Sequence, residues 1–210
     1  MSLDVIHREP RFAVIDKPAG LLSCPGRDPS LSDSVQTRIP SVFTHATGSM
    51  LVHRLDQPTS GVMVIALDEE THRLLCRQFE TRATEKTYVA ELMGQVAGDE
   101  GTIRLPFRVD LENRPHQIHD PVHGKMGVSH WRVLSRTEER TRVEFHPETG
   151  RTHQLRVHAA HALGLGCPVA GDRLYGDEKT APRLMLHAWR LAFDHPESGH
   201  RLVFEAPLPF

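Results

Sequence analysis

The chain has 210 residues, of which 39% are hydrophobic and 25% are charged, a balance typical of a globular protein with an apolar core. No apolar run approaches the ~18 residues that cross a bilayer, and three widely separated cysteines argue against a disulfide framework and a thiolate zinc site. A net charge of −2 excludes a protein that coats nucleic acid through a general positive excess, so any such binding would rely on local basic clusters.

Apolar runs and turn residues in the first half of the chain predict two strands and two helices. Residues 12–15 form a short apolar run of strand type, and residues 30–39 are consistent with a short helix that Pro40 ends. Residues 61–67 are almost continuously apolar, which predicts a strand buried on both faces. A helix should follow, because Asp68 is a favourable N-cap and acidic residues occupy the next two positions.

The second half of the chain predicts more strands around one further helix. Residues 101–131 are rich in proline, glycine and polar residues, and should contain strands joined by long loops. Apolar residues at helical spacing predict a helix at residues 151–163, ended by glycines. Further strands are predicted at 87–92, 142–145, 184–193 and 201–204. This pattern indicates an α+β fold, a single domain over residues 1–210 with a mostly antiparallel mixed sheet, flanking helices and loops.

The segment most informative about function is HRLDQPTSG, residues 53–61. It places Asp56 in a loop bounded by proline and glycine, directly before the predicted buried strand. Loops mounted on rigid strands are where catalytic groups tend to be held. On these grounds alone a simple turn remains the alternative, in which Asp56 accepts hydrogen bonds from nearby backbone amides.

This segment resembles the signature HRLDxxTSG of the RluA family of pseudouridine synthases, and all seven specified positions match. Further stretches resemble other segments of that family in the same order: DKPAGLL at 16–22, EKTY at 85–88, GRTHQLRVH at 150–158 and GD at 171–172. The resemblance covers nearly the whole chain. It implies a catalytic domain with a central active-site cleft, and an enzyme that isomerises uridine in RNA to pseudouridine.

The resemblance also implies which residues do the chemistry. The isomerisation needs an ionised carboxylate close to the sugar and the base, and the matching residue is Asp56. Arg156 matches the arginine expected beside it, which would favour ionisation because an opposite charge lowers a carboxyl pKa. Tyr88 matches the tyrosine that contacts the target uracil. The reaction involves no net redox change, so no cofactor is expected, and the chain carries neither GxGxxG nor GxxxxGK[ST].

Contacts with the RNA are inferred from the same resemblance and from local charge. Arg54 is suited to fill the space left by a flipped-out base, because its planar guanidinium can stack on bases and bind phosphate. Positive charge for phosphates is expected from a group formed by Arg73, Arg77, Arg82 and Lys86, and from another around Arg151 and Arg156. The other positions with predicted RNA contacts are His53, Thr59, Arg151, His153 and Gln154.

The family resemblance implies RNA as the partner, as a tRNA anticodon stem-loop, a large-subunit rRNA hairpin or both. The KPxGL segment is reached by residue 17, so no S4-like RNA-binding domain is expected before the catalytic domain. Fifteen histidines raise the question of a metal site, but no HExxH motif is present and no metal is predicted. We expect a cytoplasmic protein without membrane contact, because no signal peptide or spanning segment is visible. We also expect a monomer.

Two other hypotheses remain open at this point. The first is a non-catalytic RNA-binding module with the same fold. The second is a hydrolase that pairs Asp56 with a histidine such as His53 or His153, although isolated acidic and histidine residues are weak evidence of a site. Tritium release from RNA labelled at C5 of uridine would separate the synthase from both.

Overall fold

Residues 3–47 and 51–210 are described by a computed structural model of the chain. They form two units: unit 1 contains the described residues up to Lys86 together with His187–Pro209, and unit 2 contains Thr87–Leu186 and Phe210. Strands predominate in both units and α-helices are few, which confirms the predicted α+β class. The single domain with a central cleft stays a prediction.

Ten strands and three α-helices follow one another along the described residues. The strands are β1 (Asp4–Arg8), β2 (Phe12–Lys17), β3 (Ser60–Ala66), β4 (Glu85–Met93), β5 (Glu100–Val109), β6 (Gln117–His119), β7 (Lys125–Arg136), β8 (Arg140–Pro147), β9 (Leu186–Asp194) and β10 (Arg201–Glu205). The α-helices are α1 (Val35–Val42), α2 (Glu69–Glu80) and α3 (Gln154–Ala160), and 3₁₀ helices lie at Pro29–Leu31 and Glu178–Thr180. Within the described ranges, no helix combines the length and the apolar character that crossing a membrane requires.

Strand pairing is antiparallel almost throughout, as predicted. In unit 1 the order is β1-β2-β3-β9-β10, and β3 pairs with β9 in parallel. The facing residues of this parallel pair are Ser60 with His187 and Gly61 with Ala188. In unit 2 the order is β4-β8-β7-β5-β6, with antiparallel pairing between all neighbours. The parallel register places the end of the HRLDQPTSG segment against the beginning of β9.

The buried strand and the second helix of unit 1 agree with the predictions. All seven residues of β3 are buried. Helix α2 begins directly after Asp68, whose side chain accepts a hydrogen bond from the amide of Thr71 at 2.9 Å. Leu75 is fully buried on the inner face of this helix, and Phe79 packs at the edge of the same core. The cap and the hydrophobic pattern were therefore sufficient to locate both elements.

The helix predicted at residues 30–39 is wrong in both bounds. A 3₁₀ turn comes first, and α1 begins only after Ser34. Ser34 and Thr37 form a capping box, in which each side-chain oxygen accepts a hydrogen bond from the backbone amide of the other residue. This later start places Pro40 inside the helix instead of at its end, and α1 continues for two residues beyond it.

The helix predicted at residues 151–163 is shorter than expected. Helix α3 covers only seven residues. It cannot start before residue 154, because His153 has a left-handed backbone with a φ of 56°, which a right-handed helix cannot include. At the other end the chain folds back so tightly that a Cβ on Gly164 would lie 2.0 Å from the carbonyl oxygen of His158. Leu163, expected to continue the apolar face of the helix, is therefore exposed.

The core of unit 2 lies between its sheet and α3. Strands β4, β5 and β8 contribute Leu92, Leu105 and Phe145, and α3 contributes Leu155 and Val157. Six of the seven residues of this short helix are buried. The residue between Leu155 and Val157 is Arg156, which is consequently carried into the interior of unit 2.

Candidate active site

Asp56 lies in a turn whose backbone is held by hydrogen bonds on both sides. Before it, the amide of Leu55 donates to Ser23 Oγ at 3.1 Å, and the Ser23 hydroxyl donates to the Leu55 carbonyl at 2.7 Å. After it, the amide of Thr59 donates to the Asp56 carbonyl at 3.0 Å. The Asp56 side chain itself is half-buried. The carboxylate is thus mounted on a fixed turn, as catalytic geometry requires.

A buried lysine supports the same turn. Lys17 is fully buried at the end of β2, and its Nζ donates to the carbonyls of Pro18 at 3.0 Å, Leu21 at 2.7 Å and Gln57 at 3.1 Å. An ammonium has three hydrogens, so these three carbonyls match its donor capacity. Because Gln57 follows Asp56, the lysine ties the turn of Asp56 to the segment after β2. Sequence reasoning used this residue only as part of a resembling stretch and assigned it no role.

The turn is joined to β3 by a closely packed junction. Gly61 has a φ of +122°, and a Cβ at this position would lie 2.2 Å from the carbonyl oxygen of Ala188, so only glycine fits. Ser60 Oγ and His187 Nδ1 are hydrogen-bonded at 2.8 Å. Thr59 is 2% exposed, and its hydroxyl has no hydrogen-bond partner among residues 3–47 and 51–210. The proposed RNA contact of Thr59 stays a prediction.

His53 anchors the beginning of the segment on α2 and β3. Its Nε2 accepts a hydrogen bond from the amide of Val64 at 3.1 Å, and its ring stacks on Phe79 with centroids 4.6 Å apart. Burial, followed by the charge of Lys86, lowers the pKa of His53 to about 3. The ring is therefore neutral at physiological pH and acts as a packing and hydrogen-bonding group. Its predicted contact with RNA stays a prediction.

Arg54, the next residue, has the opposite character. It is exposed, and its guanidinium forms no ion pair or hydrogen bond with any residue that the structure describes. An exposed arginine between an anchored histidine and a fixed turn can reach an external group without breaking a contact of its own. This arrangement suits the predicted role in base flipping.

Arg156, in unit 2, forms a buried ion pair that sequence analysis did not foresee. Its Nε and Nη2 donate to the two carboxylate oxygens of Asp172 at 2.7 and 2.5 Å, and the side chains are 2% and 0% exposed. Burial alone raises the pKa of Asp172, but the hydrogen bonds and charge of Arg156 outweigh it and hold that pKa below its ordinary value. The two-pronged contact fixes the plane of the guanidinium.

Tyr175 completes the surroundings of Arg156. The guanidinium carbon lies 5.1 Å from the centroid of the Tyr175 ring, within cation–π range. The Tyr175 hydroxyl is hydrogen-bonded to His153 Nδ1 at 2.8 Å and accepts from the amide of Gln117 at 2.9 Å. Asp172 also accepts from the amide of Tyr175 at 3.2 Å. Arg156 is thus held from two directions, and the only earlier signal of this was the GD pair at 171–172.

The remaining predicted residues of unit 2 have distinct environments. Gln154 is buried, and its side-chain amide donates to the Val128 carbonyl at 3.0 Å and to Ser129 Oγ at 2.9 Å. Its Oε1 accepts from the amide of Arg151 at 3.1 Å, so Gln154 anchors the loop before α3 from inside. Arg151 is exposed, whereas Tyr88 is half-buried on β4 at the edge of the unit 2 core. Their contacts with RNA stay predictions.

The structure therefore assembles the predicted residues in two groups. The first group lies at the anchored turn of unit 1 and contains His53, Arg54, Asp56 and Thr59. Lys17 supports this turn through its hydrogen bond to the Gln57 carbonyl. In unit 2, Arg156 and His153 are joined through Tyr175. The predicted pairing of Asp56 with Arg156 stays a prediction. No group of three or more metal-ligating side chains is arranged to hold an ion within the described part of the chain.

A family model described as RNA pseudouridylate synthase matches residues 11–161 of this chain. The chain belongs to the RNA pseudouridylate synthase family. It is 43% identical over 210 residues to the dual-specificity RNA pseudouridine synthase RluA of Yersinia pestis, with 98% of this chain and 99% of that protein covered. It is 41% identical over 212 residues to the protein of the same name from Haemophilus influenzae, with 99% and 94% covered.

Solved structures of pseudouridylate synthases share the fold. Human RNA Pseudouridylate Synthase Domain Containing 1 superposes with a TM-score of 0.81 at 30% sequence identity, covering 100% of this chain and 84% of the human chain. Human RNA Pseudouridylate Synthase Domain Containing 4 gives a TM-score of 0.77 at 27% identity, covering 98% and 88%. The predicted family and enzyme class are thereby confirmed: the chain is an RNA pseudouridine synthase, an isomerase with RNA as its substrate.

Proposed function

We propose that this synthase isomerises specific uridines in a tRNA anticodon stem-loop, a large-subunit rRNA hairpin or both, with Asp56 as its catalytic carboxylate. The observation that carries the proposal is the anchored turn of unit 1, which holds Asp56 half-exposed on a backbone fixed by Ser23 and Lys17. The dual substrate class is supported by relatives named dual-specificity synthases, which match the chain over nearly its full length.

In the reaction the bond between ribose C1′ and uracil N1 breaks, the base turns, and C5 bonds to C1′. N1 gains a proton and C5 loses one, so the product is an isomer of the substrate and no oxidant or reductant is consumed. Asp56 either attacks C1′ or acts as a base at the sugar. Both routes need an ionised carboxylate in a fixed position.

Arg156 is proposed to keep that carboxylate ionised and oriented. A guanidinium has five N–H donors, and the pair with Asp172 uses one edge of it, through Nε and Nη2. The planar, forked arrangement of its donors is the geometry that matches carboxylate oxygens. Tyr88 is proposed to contact the uracil ring, and Arg54 to occupy the space that the flipped base leaves.

The test is tritium release from RNA labelled at C5 of uridine, measured together with RNA affinity. Asp56→Asn should abolish turnover and leave the dissociation constant within roughly tenfold, because binding relies mainly on phosphate and base contacts. Asp4→Asn is the matched control, since Asp4 is an exposed aspartate of the same unit, on β1. Near-normal turnover in Asp56→Asn would reassign the nucleophile. Binding without tritium release by the unmodified protein would favour the non-catalytic module, and release of free uracil the hydrolase.

The natural substrate and the working state of the enzyme need separate measurements. Mapping pseudouridines in cellular RNA with and without the gene identifies the modified positions. We further propose a cytoplasmic monomer with a single catalytic domain that works without a metal. It needs no redox cofactor, because the isomerisation involves no net redox change. Sedimentation should then give the mass of one chain, and dialysis against a chelator should leave turnover unchanged. Loss of activity after chelation would contradict this part of the proposal.

A further inference from the structure

Three acidic residues near α2 and the beginning of β4 are already neutralised by arginines from other segments of unit 1. Arg11 binds Asp68 at 2.9 Å and Glu70 at 2.6 Å. Arg201 binds Glu85 at 2.7 Å. These three carboxylates are therefore committed to other partners, and they do not compensate the basic residues of their own segment.

Several cations in this region lack such partners in the described ranges, Arg73 and Arg77 of α2 among them. We call Arg54, Arg82 and Lys86 the basic cluster. Arg54 and Arg82 are exposed, and Lys86 is half-buried. None of the three forms an ion pair or a side-chain hydrogen bond with another residue in the described ranges. Burying half of an ammonium without a counter-charge lowers the stability of the free protein, and a bound anion would offset this loss.

The basic cluster lies next to His53: the amide of Arg82 donates at 3.3 Å to the carbonyl of Phe79, the residue on which His53 stacks. Burial, followed by the charge of Arg82, lowers the pKa of Lys86. The charge of Lys86 in turn adds to the effect of burial on the pKa of His53. His53 is stacked on Phe79 of α2 and is directly followed by Arg54. Arg54 and Arg82 therefore adjoin the anchored histidine that precedes the turn of Asp56, and the charge of Lys86 acts on the same ring.

A purely structural explanation accounts for one member of the cluster. Arg82 lies just beyond the C-terminal end of α2, where a cation interacts favourably with the helix dipole. That argument does not apply to Lys86, which is the second residue of β4. Two like charges held near each other destabilise the free protein, and an anion bound between them would relieve the repulsion.

We propose that the basic cluster is a binding site for a backbone phosphate of the RNA, adjacent to the uridine that is flipped towards Asp56. The proposal rests on the function proposed above, because it takes the flipped uridine to lie at the catalytic turn. Flipping a nucleotide requires protein contacts that hold the neighbouring RNA backbone, as well as a side chain that fills the gap in the base stack. Lys86 and Arg82 supply the positive charge for these contacts, since ammonium and guanidinium groups both bind phosphate oxygens.

The decisive experiment combines a protein variant with a modified RNA. A stem-loop substrate is made with a neutral methylphosphonate at one linkage at a time on either side of the target uridine, and binding is measured for the unmodified protein and Lys86→Gln. One linkage should weaken binding of the unmodified protein roughly tenfold, the size of a lost charge-assisted hydrogen bond. Lys86→Gln should bind natural RNA about tenfold more weakly than the unmodified protein does. Its affinity should not fall further when that linkage is a methylphosphonate.

Matched variants separate a phosphate contact from general charge and from misfolding. Lys179→Gln removes the same charge from an exposed position in unit 2 and should keep the sensitivity of the unmodified protein at every linkage. Lys86→Arg should restore most of the affinity, because it keeps the charge. The salt dependence of log K should become shallower by about 0.7 in Lys86→Gln and stay unchanged in Lys179→Gln. Equal sensitivity of Lys86→Gln and the unmodified protein at all linkages would overturn the proposal.

The outcome is distinguishable from failure of the proposed function. Binding and tritium release are recorded on the same RNA, so the affinities can be compared even if turnover is absent. Pseudouridine formation with unaltered phosphate sensitivity in Lys86→Gln would refute the phosphate site alone. RNA binding that shows the expected coupling without turnover would refute the catalytic assignment and keep the site.

Discussion

Replacing Asp172 by asparagine should destabilise the protein strongly, because it leaves a buried guanidinium without its counter-charge. Arg156 is 2% exposed at its side chain, and both of its bonds to Asp172 are 2.7 Å or shorter. Removing one partner of such a pair costs about 3–5 kcal/mol. At about 2–4 °C per kcal/mol for a chain of this size, the melting temperature should fall by roughly 6–20 °C.

Urea denaturation at pH 7 measures the free energy of unfolding directly. Glu178→Gln is the matched control, since Glu178 is exposed in the 3₁₀ helix six residues later and should change the free energy by at most about 0.5 kcal/mol. A loss below about 1 kcal/mol in Asp172→Asn would refute the reasoning, because that is within the range of exposed pairs.

The pH dependence provides a second check on the same pair. The pKa of Asp172 is lower in the folded protein than in the unfolded chain, where the pKa of aspartate is about 3.9. Stabilisation by its charge is therefore complete above that pH and is lost as the pH falls through the lower folded pKa. The difference between the unmodified protein and Asp172→Asn should be full at pH 7 and shrink below about pH 4. A difference independent of pH would show that the charge is not its source.

Three further predictions concern the anchored turn of unit 1. Gly61→Ala should lower the free energy of unfolding by at least about 2 kcal/mol, because its Cβ would lie 2.2 Å from the Ala188 carbonyl oxygen; an unchanged thermal transition would contradict this. Lys17→Met should reduce tritium release at least about tenfold and RNA affinity much less, because three carbonyls around the turn lose their hydrogen-bond donor. Equal losses of tritium release and of RNA affinity would argue for general unfolding. The pKa of His53 is lowered to about 3 in the folded protein, whereas it is about 6.5 in the unfolded chain. Its neutral ring therefore stabilises the fold fully above about pH 6.5, and this stabilisation is lost as the pH falls towards the folded pKa. In urea denaturation, the free energy of unfolding of His53→Gln should fall less steeply between about pH 6.5 and 4 than that of the unmodified protein.

Elements with local signals could be predicted from the sequence. Helix α2 was located because Asp68 caps it and Leu75 lies on its apolar face, both within one short segment. Strand β3 was located because its residues are almost all apolar. The failures occurred where distant contacts decide the outcome. Helix α3 begins only after the left-handed His153, and its first residue, Gln154, bonds through its side chain to the strand residues Val128 and Ser129, some 25 positions earlier.

The candidate site divides in the same way. Asp56 and Arg54 were identifiable from one contiguous segment, whereas the interior contacts that hold Arg156 were not. Nothing in the segment around Arg156 indicates that it pairs with Asp172, sixteen residues later, instead of facing solvent. The burial of Lys17 was equally invisible, because its partners include the carbonyl of Gln57, forty residues away. Partner choice over such distances depends on the folded chain, and the order of residues in a single sequence does not reveal it.

The sealed ammonium of Lys17 gives this enzyme an intrinsic chemical probe. Reagents that acetylate or methylate amines attack the deprotonated, accessible nitrogen, and three carbonyls enclose this one. Lys125 and Lys179 are exposed by comparison and should be labelled at once. Modification of Lys17 should then proceed only while the turn of Asp56 opens locally, and its rate in mass spectrometry would report the frequency of that opening.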